Sequence, residues 1–300
     1  MTVDPPFVTQ LLLEQAPEFA ALTPRMTTTS GSSNWVFRLG DDLAVRLPRD
    51  DAYAEDLRTE VAWLPRLGPA LPVPVPAIRH VGVPSALFPR PWAVVTWIPG
   101  ATPAELDAAG QATLARAFGR FTRALHGFDV TGVVDAHLSA GYRTGEPVTD
   151  ATDAWVDEAA TDLADLFDPA RVREAWRRLR DVAPRGGPPC LVHADLSAEN
   201  VLVGRDGALV GVIDFGGLGL GDPAVDLLYA WDLLDPPARV VLREVAGVDD
   251  VTWQRARAWS FVGPGLVTIA GYRTTMPTRT ARLVAMVEAV AGEVGVDLRG

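Results

Sequence analysis

A short segment, residues 193–214, contains the side chains best suited to chemistry in this chain. His193 and Asp195 are followed by Asn200 and, further on, by Asp214. A carboxylate can accept a proton from an attacking hydroxyl group. Carboxylate and amide oxygens are also the ligands that hard cations such as Mg²⁺ prefer. The segment therefore predicts a proton acceptor, Asp195, close to a cation held by Asn200 and Asp214, whereas His193 is expected to brace the loop.

The residues between Asn200 and Asp214 predict a β-hairpin. Two apolar runs, 201–203 and 209–213, are joined by an Asp-Gly turn, a dipeptide typical of tight hairpins. Folding the chain at this turn places Asn200 beside the end of the second run, so that Asn200 and Asp214 converge on one cation. Asp195 lies on the loop that enters the hairpin and is expected near the same point.

Alternating apolar and polar residues upstream predict a small antiparallel meander. Apolar side chains alternate over 35–39 and again over 43–47, with two aspartates between them. A short helix is predicted over 7–14, a longer one over 52–67, and a buried strand over 92–97. Together these elements form a small α+β unit ahead of the chemical segment.

Arg46 and Glu60 are the charged residues of interest in this unit. Arg46 lies in a predicted strand between apolar neighbours, and Glu60 lies in the helix that follows. A cation on the third strand that faces a carboxylate on the next helix is the arrangement with which kinases hold nucleotide phosphates. The alternative is that both side chains lie on solvated faces.

The loop over residues 29–34 is a second candidate for phosphate binding. Ser30, Gly31 and Ser32 lie in it, and a glycine lets backbone N–H groups approach a phosphate without a Cβ in the way. The loop lacks the repeated glycines of a nucleotide-binding fingerprint, so an ordinary hairpin turn is the alternative.

Helices are predicted for most of the chain after residue 100. The first begins at Thr102, where Pro103 and Glu105 complete a typical helix start, and it ends near His126. Further helices are predicted over 153–167, 169–181, 226–234, 237–246, 250–270 and 277–294, with a loop over 129–147.

Several polar residues in these helices are candidates for substrate contacts. Asp153 and Asp157 could meet a basic ligand, although a solvated acidic face explains them as well. Tyr229, Asp232 and Asp235 begin just past the predicted metal segment and could face an acceptor substrate.

Composition excludes some classes of function. All 27 basic residues are arginine against 38 acidic ones, and the net charge of −11 argues against nucleic acid as a partner. The acidity is compatible with a cationic substrate and equally with simple solubility.

The single cysteine excludes an intramolecular disulfide and a cysteine-based metal cluster. Apolar runs too short for a bilayer and the absence of a secretory signal predict a cytoplasmic protein without a membrane partner.

The motifs together resemble the aminoglycoside phosphotransferase family, relatives of the eukaryotic-type protein kinases that include macrolide and choline kinases. Residues 31–34, 45–49 and 96–100 and the central segment carry the resemblance, which spans roughly residues 20–290. It implies a bilobal, protein-kinase-like α+β fold. The smaller, antiparallel-sheet lobe would bind nucleotide over residues 1–98, and a mainly helical lobe over 99–300 would hold the catalytic and substrate residues.

The resemblance also implies roles for individual residues. Asp195 would be the catalytic base, and Asn200 and Asp214 the Mg²⁺ ligands. The implied nucleotide contacts are Ser30, Gly31, Ser32, Arg46, Glu60, Thr96, Trp97 and Ile98, and His193, Asp222 and Asp226 would support the catalytic loop. Arg46 stands where kinases have lysine, and Ala194 where the family often has glycine. The loop over residues 29–34 lacks repeated glycines, so the choice between ATP and GTP stays open.

The expected function is Mg²⁺-dependent transfer of the γ-phosphoryl group of ATP or GTP to a hydroxyl of a small molecule. An aminoglycoside-type antibiotic, which is cationic, is the first expectation for this acceptor. Macrolide, nucleoside or peptide antibiotics and a metabolite such as choline are the alternatives within the enzyme class. A nucleotide-binding pseudokinase that regulates a partner is the alternative from another class, and a monomer or homodimer is expected.

Overall fold

An antiparallel sheet of five strands forms the N-terminal part of the computed structural model, which describes residues 2–27, 33–103, 106–131, 138 and 150–299. The strands follow the order β1-β2-β3-β5-β4. Their bounds are Pro24–Met26 for β1, Asn34–Leu39 for β2, Leu43–Pro48 for β3, Ile78–Gly82 for β4 and Trp92–Thr96 for β5. The predicted meander is confirmed, whereas strand β4 was not predicted.

The two faces of this sheet carry different side chains because residues alternate along each strand. Phe37 pairs with Val45, and Val45 with Val94, on the face that packs against helix α1, Pro5–Gln15. The opposite face presents small residues, including Ala44 and Ala93, to the second helix. Small side chains at these positions let that helix approach the sheet closely.

Helix α2, Asp51–Leu67, connects the sheet to the rest of the chain. Asp50 caps its first turn by accepting a hydrogen bond from the N–H of Tyr53. Pro65 lies inside its last turn, and the helix nevertheless continues to Leu67. Its C-terminal apolar residues, among them Trp63, belong to the large core of the helical lobe.

The C-terminal part is mainly helical. Its helices are α3 Ala108–His126, α4 Asp150–Asp162, α5 Pro169–Leu179, α6 Ala230–Leu233, α7 Pro236–Ala246, α8 Asp250–Ser260, α9 Thr268–Tyr272 and α10 Pro277–Glu293. Helices α3 and α7 pack closely, and a methyl group on Gly119 of α3 would lie 2.9 Å from the Cβ of Val245. The structure is therefore a bilobal α+β fold with its largest core among these helices.

Two small sheets carry the chemical segment. Strands β7, Val201–Val203, and β8, Leu209–Val212, form the predicted hairpin, in which Val201 pairs with Val212. The N–H of Ile213 donates to the carbonyl of Asn200 at 3.0 Å, so the two ends of the hairpin meet. Strands β6, Cys190–Val192, and β9, Gly219–Gly221, pair across the segment and were not predicted.

Three other predictions need correction. The helix predicted from Thr102 begins instead at Ala108, capped by Asp107, and residues 104–105 lie outside the described part. The continuous helix over 250–270 is interrupted by a wide π-helical turn, Phe261–Val267, that contains Pro264. The helix over 226–234 is a short 3₁₀ segment, Pro223–Leu227, followed by α6. The predicted loop over 129–147 lies mostly outside the described residues.

None of the described helices has the length and apolar character needed to cross a bilayer.

The turn between β7 and β8 is expected to tolerate only glycine at position 207. Gly207 has a φ of 76°, and a methyl group there would lie 2.5 Å from the carbonyl oxygen of Gly110 at the start of α3. Gly207→Ala should destabilise the protein by about 1–3 kcal/mol in urea unfolding. Gly186→Ala is the control, because nothing lies within 4 Å of that position. Equal stability of the two variants would contradict this explanation of the turn.

Candidate active site

Asp195 lies on the loop between β6 and β7, where Asn200 holds it. The side-chain Nδ2 of Asn200 donates to the carbonyl oxygen of Asp195 at 2.9 Å and to its Oδ2 at 3.2 Å. Since one amide group contacts both the main chain and the carboxylate of Asp195, it fixes the direction in which the carboxylate points.

His193 links this loop to the end of β8. The N–H of Asp195 donates to Nδ1 of His193 at 3.2 Å, and Nε2 of the same ring lies 3.1 Å from the carbonyl oxygen of Ile213. These contacts require the neutral ring with its proton on Nε2. His193 is fully buried and edge-on to Phe215, so its side chain is occupied in holding the loop.

Asp226 holds the backbone just ahead of Asp195. Its Oδ1 accepts from the N–H of Ala194 at 2.8 Å, and its Oδ2 accepts from the N–H of His193 at 3.1 Å and contacts Nε2 of His126 at 2.9 Å. Ala194 has a φ of 70°, a left-handed conformation that costs a residue with a side chain free energy. The buried carboxylate stabilises this strained backbone.

In the described part of the chain, Asp222 has no hydrogen bond to the loop that holds Asp195, but it fixes the element that carries Asp226. It forms a two-point ion pair with Arg255 of α8, with nitrogen–oxygen distances of 2.6 and 3.0 Å, and caps the 3₁₀ segment through the N–H of Ala224. That segment contains Asp226. Asp222 and Arg255 thereby fix the element from which Asp226 reaches the loop.

Arg46 and Glu60 meet as their positions in β3 and α2 predicted. Arg46 contacts Oε2 of Glu60, and its Nη2 lies 3.5 Å from Oδ1 of Asp214. The other Glu60 oxygen, Oε1, accepts from the N–H of Phe215 at 2.8 Å. The Glu60 carboxylate is fully buried. It therefore joins the sheet of the small lobe to the segment that follows the hairpin.

The charges of Arg46, Glu60 and Asp214 interact strongly. Burial raises the pKa of Glu60, while the positive charge of Arg46 opposes that rise. For Arg46, burial favours the neutral form, but the charges of Glu60 and Asp214 outweigh it, so its pKa is raised and the guanidinium stays cationic. Arg46 is thus a fixed cation beside the two carboxylates.

Asp56, one helical turn before Glu60, is a member of this group that sequence reasoning missed. A methyl group on Gly216 would lie 2.6 Å from its Cβ, so Asp56 packs directly on the segment after Asp214. Burial and the negative charges of Asp214 and Glu60 raise the pKa of Asp56 to about 6. The signal available in the sequence was its spacing of four residues from Glu60, which places both on one helix face.

Asn200 and Asp214 have the chemistry of a magnesium site. Because Nδ2 of Asn200 binds Asp195, the oxygen of its amide is left to serve as a ligand. The Asp214 side chain is 39% exposed, in a left-handed backbone conformation with φ of 67°. No cluster of three or more histidine, cysteine or acidic side chains within the described residues could hold a metal. Two oxygen ligands completed by phosphates match the usual coordination of Mg²⁺.

The predicted nucleotide contacts at 96–98 lie at the end of strand β5, Thr96, and in the two residues after it. The N–H of Thr96 donates to the carbonyl of Ala77 and its hydroxyl accepts from Ala77 N–H, while Trp97 N–H donates to Asp42. Ile98 packs against β8, where a methyl group on Gly211 would lie 2.6 Å from its Cγ2. The other predicted contacts, Ser30, Gly31 and Ser32, lie outside the described residues.

Three of the residues predicted to contact substrate make contacts within the helical lobe. Asp153 accepts from the indole N–H of Trp176 at 2.6 Å, and Asp157 pairs with Arg173 at 2.7 Å, so both tie α4 to α5. Asp235 caps α7 by accepting from Ala238 N–H. These contacts account for the three side chains without a substrate.

Tyr229 and Asp232 lie beside the loop that holds Asp195, next to two arginines of α10. Arg282 contacts both Glu199 and Asp232, and Arg279 donates to the hydroxyl of Tyr229 at 3.3 Å. Sequence reasoning missed the arginines and Glu199. Arg279 and Arg282 are three residues apart in a helix and therefore share a face, but nothing local indicates that this face meets the loop.

Comparisons by sequence and by structure both match this chain to phosphotransferases. The profile of a family described as "Phosphotransferase enzyme family" matches residues 27–259. An aminoglycoside 3'-phosphotransferase of Escherichia coli is 27% identical over 203 residues, which is 65% of this chain and 70% of that protein.

Solved structures share the fold at low sequence identity. The GDP complex of wild-type aminoglycoside 2'-phosphotransferase-IIIa has a TM-score of 0.70 and 18% identity, covering 97% of this chain and all of that one. The macrolide 2'-phosphotransferase of Brachybacterium faecium, solved as the apoenzyme, has a TM-score of 0.62 and 21% identity, covering 97% and 98% of the two chains.

Removing the cation from the buried pair should destabilise the protein strongly. Arg46→Leu leaves the buried Glu60 carboxylate without its partner, a change that costs roughly 3–5 kcal/mol. Arg58→Leu is a matched control in α2, because Arg58 forms an exposed pair with Glu55 that contributes less than about 1 kcal/mol. Urea unfolding of both variants measures the difference. Similar losses would show that Glu60 does not depend on Arg46.

The Asp56 carboxylate should make stability depend on pH. Its folded-state pKa of about 6 lies above that of the unfolded chain, so ionisation of Asp56 costs stability as pH rises from about 4 to 6. Asp56→Asn should therefore stabilise the protein at pH 7 by about 1 kcal/mol, allowing for partial exposure, and have little effect at pH 4. Glu55→Gln is the exposed neighbouring control. An Asp56→Asn gain that does not vary with pH would contradict the raised pKa.

Proposed function

Because the chain belongs to the phosphotransferase enzyme family, we propose that it transfers the γ-phosphoryl group of ATP or GTP to a hydroxyl of a small antibiotic-like molecule. The observation that carries this proposal is the convergence of Asp195, Asn200 and Asp214 at the open end of one hairpin, next to the Arg46–Glu60 pair. Phosphoryl transfer needs positioning and charge stabilisation more than covalent chemistry, and this group supplies both.

Asp195 acts on the acceptor. The acceptor hydroxyl hydrogen-bonds to its carboxylate, and the hydroxyl oxygen attacks the γ-phosphorus as the bond to the β–γ bridging oxygen breaks. The proton of the hydroxyl passes to Asp195, and the nucleoside diphosphate leaves with the bridging oxygen. The Asn200 amide keeps the carboxylate of Asp195 in position throughout.

Asn200 and Asp214 would hold Mg²⁺, which supplies neutralisation of the charge on the nucleotide phosphates. Arg46 contributes a fixed cation from the small lobe, 3.5 Å from Asp214. Its guanidinium has five donors, so it can contact a phosphate oxygen while it keeps Glu60 as a partner. This property lets arginine serve where kinases use lysine.

The proposed donor site lies between a nucleotide-binding lobe, residues 1–98, and a catalytic lobe, residues 99–300. Backbone groups of residues 96–98 would contact the base, and the loop over residues 30–32 the phosphates. A structural neighbour was solved with GDP, which supports a guanine nucleotide as one donor to test beside ATP. Because ATP and GTP are abundant in the cytoplasm, we place the reaction there.

The proposed acceptor class follows from the relatives. One relative is an aminoglycoside 3'-phosphotransferase and one structural neighbour is a macrolide 2'-phosphotransferase, so aminoglycosides and macrolides are the first acceptors to test. Resistance to such an antibiotic is the corresponding biological role. A pseudokinase that only binds nucleotide is disfavoured by the presence of Asp195, Asn200 and Asp214 together.

Asp195→Asn should lower the rate of transfer by roughly 10²–10⁴-fold while nucleotide affinity stays near that of the unaltered protein, because it removes only the proton acceptor. Consumption of ATP and of GTP with Mg²⁺ and a panel of aminoglycosides and macrolides measures this effect. Asp181→Asn is the surface control. Nucleotide binding without turnover on any acceptor, or turnover that survives Asp195→Asn, would refute the proposed function.

A further inference from the structure

The acceptor side of Asp195 is bordered by cations as well as by acids. Glu199 immediately precedes Asn200 on the catalytic loop, and α10 places Arg279 and Arg282 against it, at 3.9 and 2.8 Å. Tyr229, the hydrogen-bond partner of Arg279, lines a small hollow together with Ala194, the residue before Asp195. The two arginines therefore lie beside the loop that holds Asp195, against which the proposed acceptor would bind.

Arg282 is held by two acidic side chains. Its Nη2 donates to Glu199 at 2.8 Å, and its Nε donates to Asp232 at 3.2 Å. The Asp232 side chain is only 2% exposed, so this pair fixes α10 on α6. Two of the three guanidinium nitrogens of Arg282 are therefore bound to acidic side chains.

Arg279 is different because, among the described residues, one of its three guanidinium nitrogens has a hydrogen-bond partner. Its one hydrogen bond among the described residues is the 3.3 Å contact with the Tyr229 hydroxyl, and its buried Nε has no hydrogen-bond partner among them. Its contact with Glu199, 3.9 Å, is too long for a hydrogen bond. The side chain is 22% exposed, so part of it is in contact with solvent.

The charges around Arg279 keep its guanidinium positively charged. Burial favours its neutral form, but the neighbouring Tyr229, Glu199 and Asp195 outweigh this effect and raise its pKa, so the cation persists. The interaction with Asp195 places the guanidinium within electrostatic reach of the catalytic carboxylate. A buried hydrogen-bond donor without a partner costs free energy. An oxygen of a bound anion would remove that cost by accepting its hydrogen bond.

We propose that Arg279 binds an oxyanion on the acceptor side of Asp195. A guanidinium with free donors binds planar or tetrahedral oxyanions through two hydrogen bonds. Within the proposed function, on which this inference rests, the oxyanion has two sources: the γ-phosphoryl group during transfer, or an anionic group of the acceptor itself. In the second case the enzyme favours acceptors that carry a carboxylate over polycationic ones.

The test compares Arg279→Gln and Arg279→Lys with Arg273→Gln, a control whose arginine forms an exposed pair with Asp165. Calorimetry with Mg²⁺, ADP and aluminium fluoride, a mimic of the transferred phosphoryl group, reports the first source. Calorimetry with glucuronate and with glucose on the enzyme saturated with MgADP reports the second, because these sugars differ in one carboxylate. Melting temperatures establish that each variant is folded.

The loss of one charged contact predicts weakening of about 10- to 100-fold in Arg279→Gln, partial retention in Arg279→Lys and no change in Arg273→Gln. Weakening confined to aluminium fluoride assigns the transferred phosphoryl group, and weakening confined to glucuronate assigns the acceptor. The proposal is overturned if folded Arg279→Gln binds both probes with the affinity of the unaltered protein. It is also overturned if the unaltered protein binds ADP with aluminium fluoride no more tightly than ADP alone and glucuronate no more tightly than glucose. Anion binding through Arg279 without transfer would refute the proposed function and retain this inference.

Discussion

The buried carboxylate of Glu60 is the contact on which the rest of the site depends. One of its oxygens holds Arg46 of the sheet, and the other accepts the N–H of Phe215, directly after Asp214. Burying a charge is favourable only if it is fully paired, so Glu60 requires both partners at once. Glu60 therefore positions the small lobe and the segment after the hairpin relative to each other.

A second buried carboxylate, Asp226, holds the backbone ahead of Asp195, as Glu60 holds the backbone after Asp214. Ala194 and Asp214, which flank the hairpin, are the non-glycine residues with positive φ in the described part of the chain. The backbone at each of these positions is held by a carboxylate that accepts neighbouring N–H groups, from Asp226 at Ala194 and from Glu60 just after Asp214. The chain thus places strain where it presents side chains to the reaction, and buried acids stabilise that strain.

Local signals were enough to predict the hairpin and the meeting of Asn200 with Ile213, because the Asp-Gly turn and two apolar runs fix the register over a short distance. The pairing of Arg46 with Glu60 was expected only once the downstream motif indicated a kinase arrangement, because their places in a strand and a helix also fit solvated faces. The pairing of β6 with β9 and the contacts of α10 with Glu199 connect distant parts of the chain, and no local pattern encodes them. The helix start at Thr102 was wrong because Asp107 provides a later cap. The interrupted helix after α8 escaped prediction although Pro264 is visible in the sequence.

Hydrogen exchange at the amide of Phe215, measured without nucleotide, tests the bridging role of Glu60 most directly. The amide should be strongly protected in the unaltered protein because it is bound to a buried carboxylate, and Glu60→Gln should increase its exchange rate and weaken MgATP binding together. An unprotected Phe215 amide in the unaltered protein, or protection and MgATP affinity that do not change in Glu60→Gln, would contradict the view that this carboxylate assembles the site.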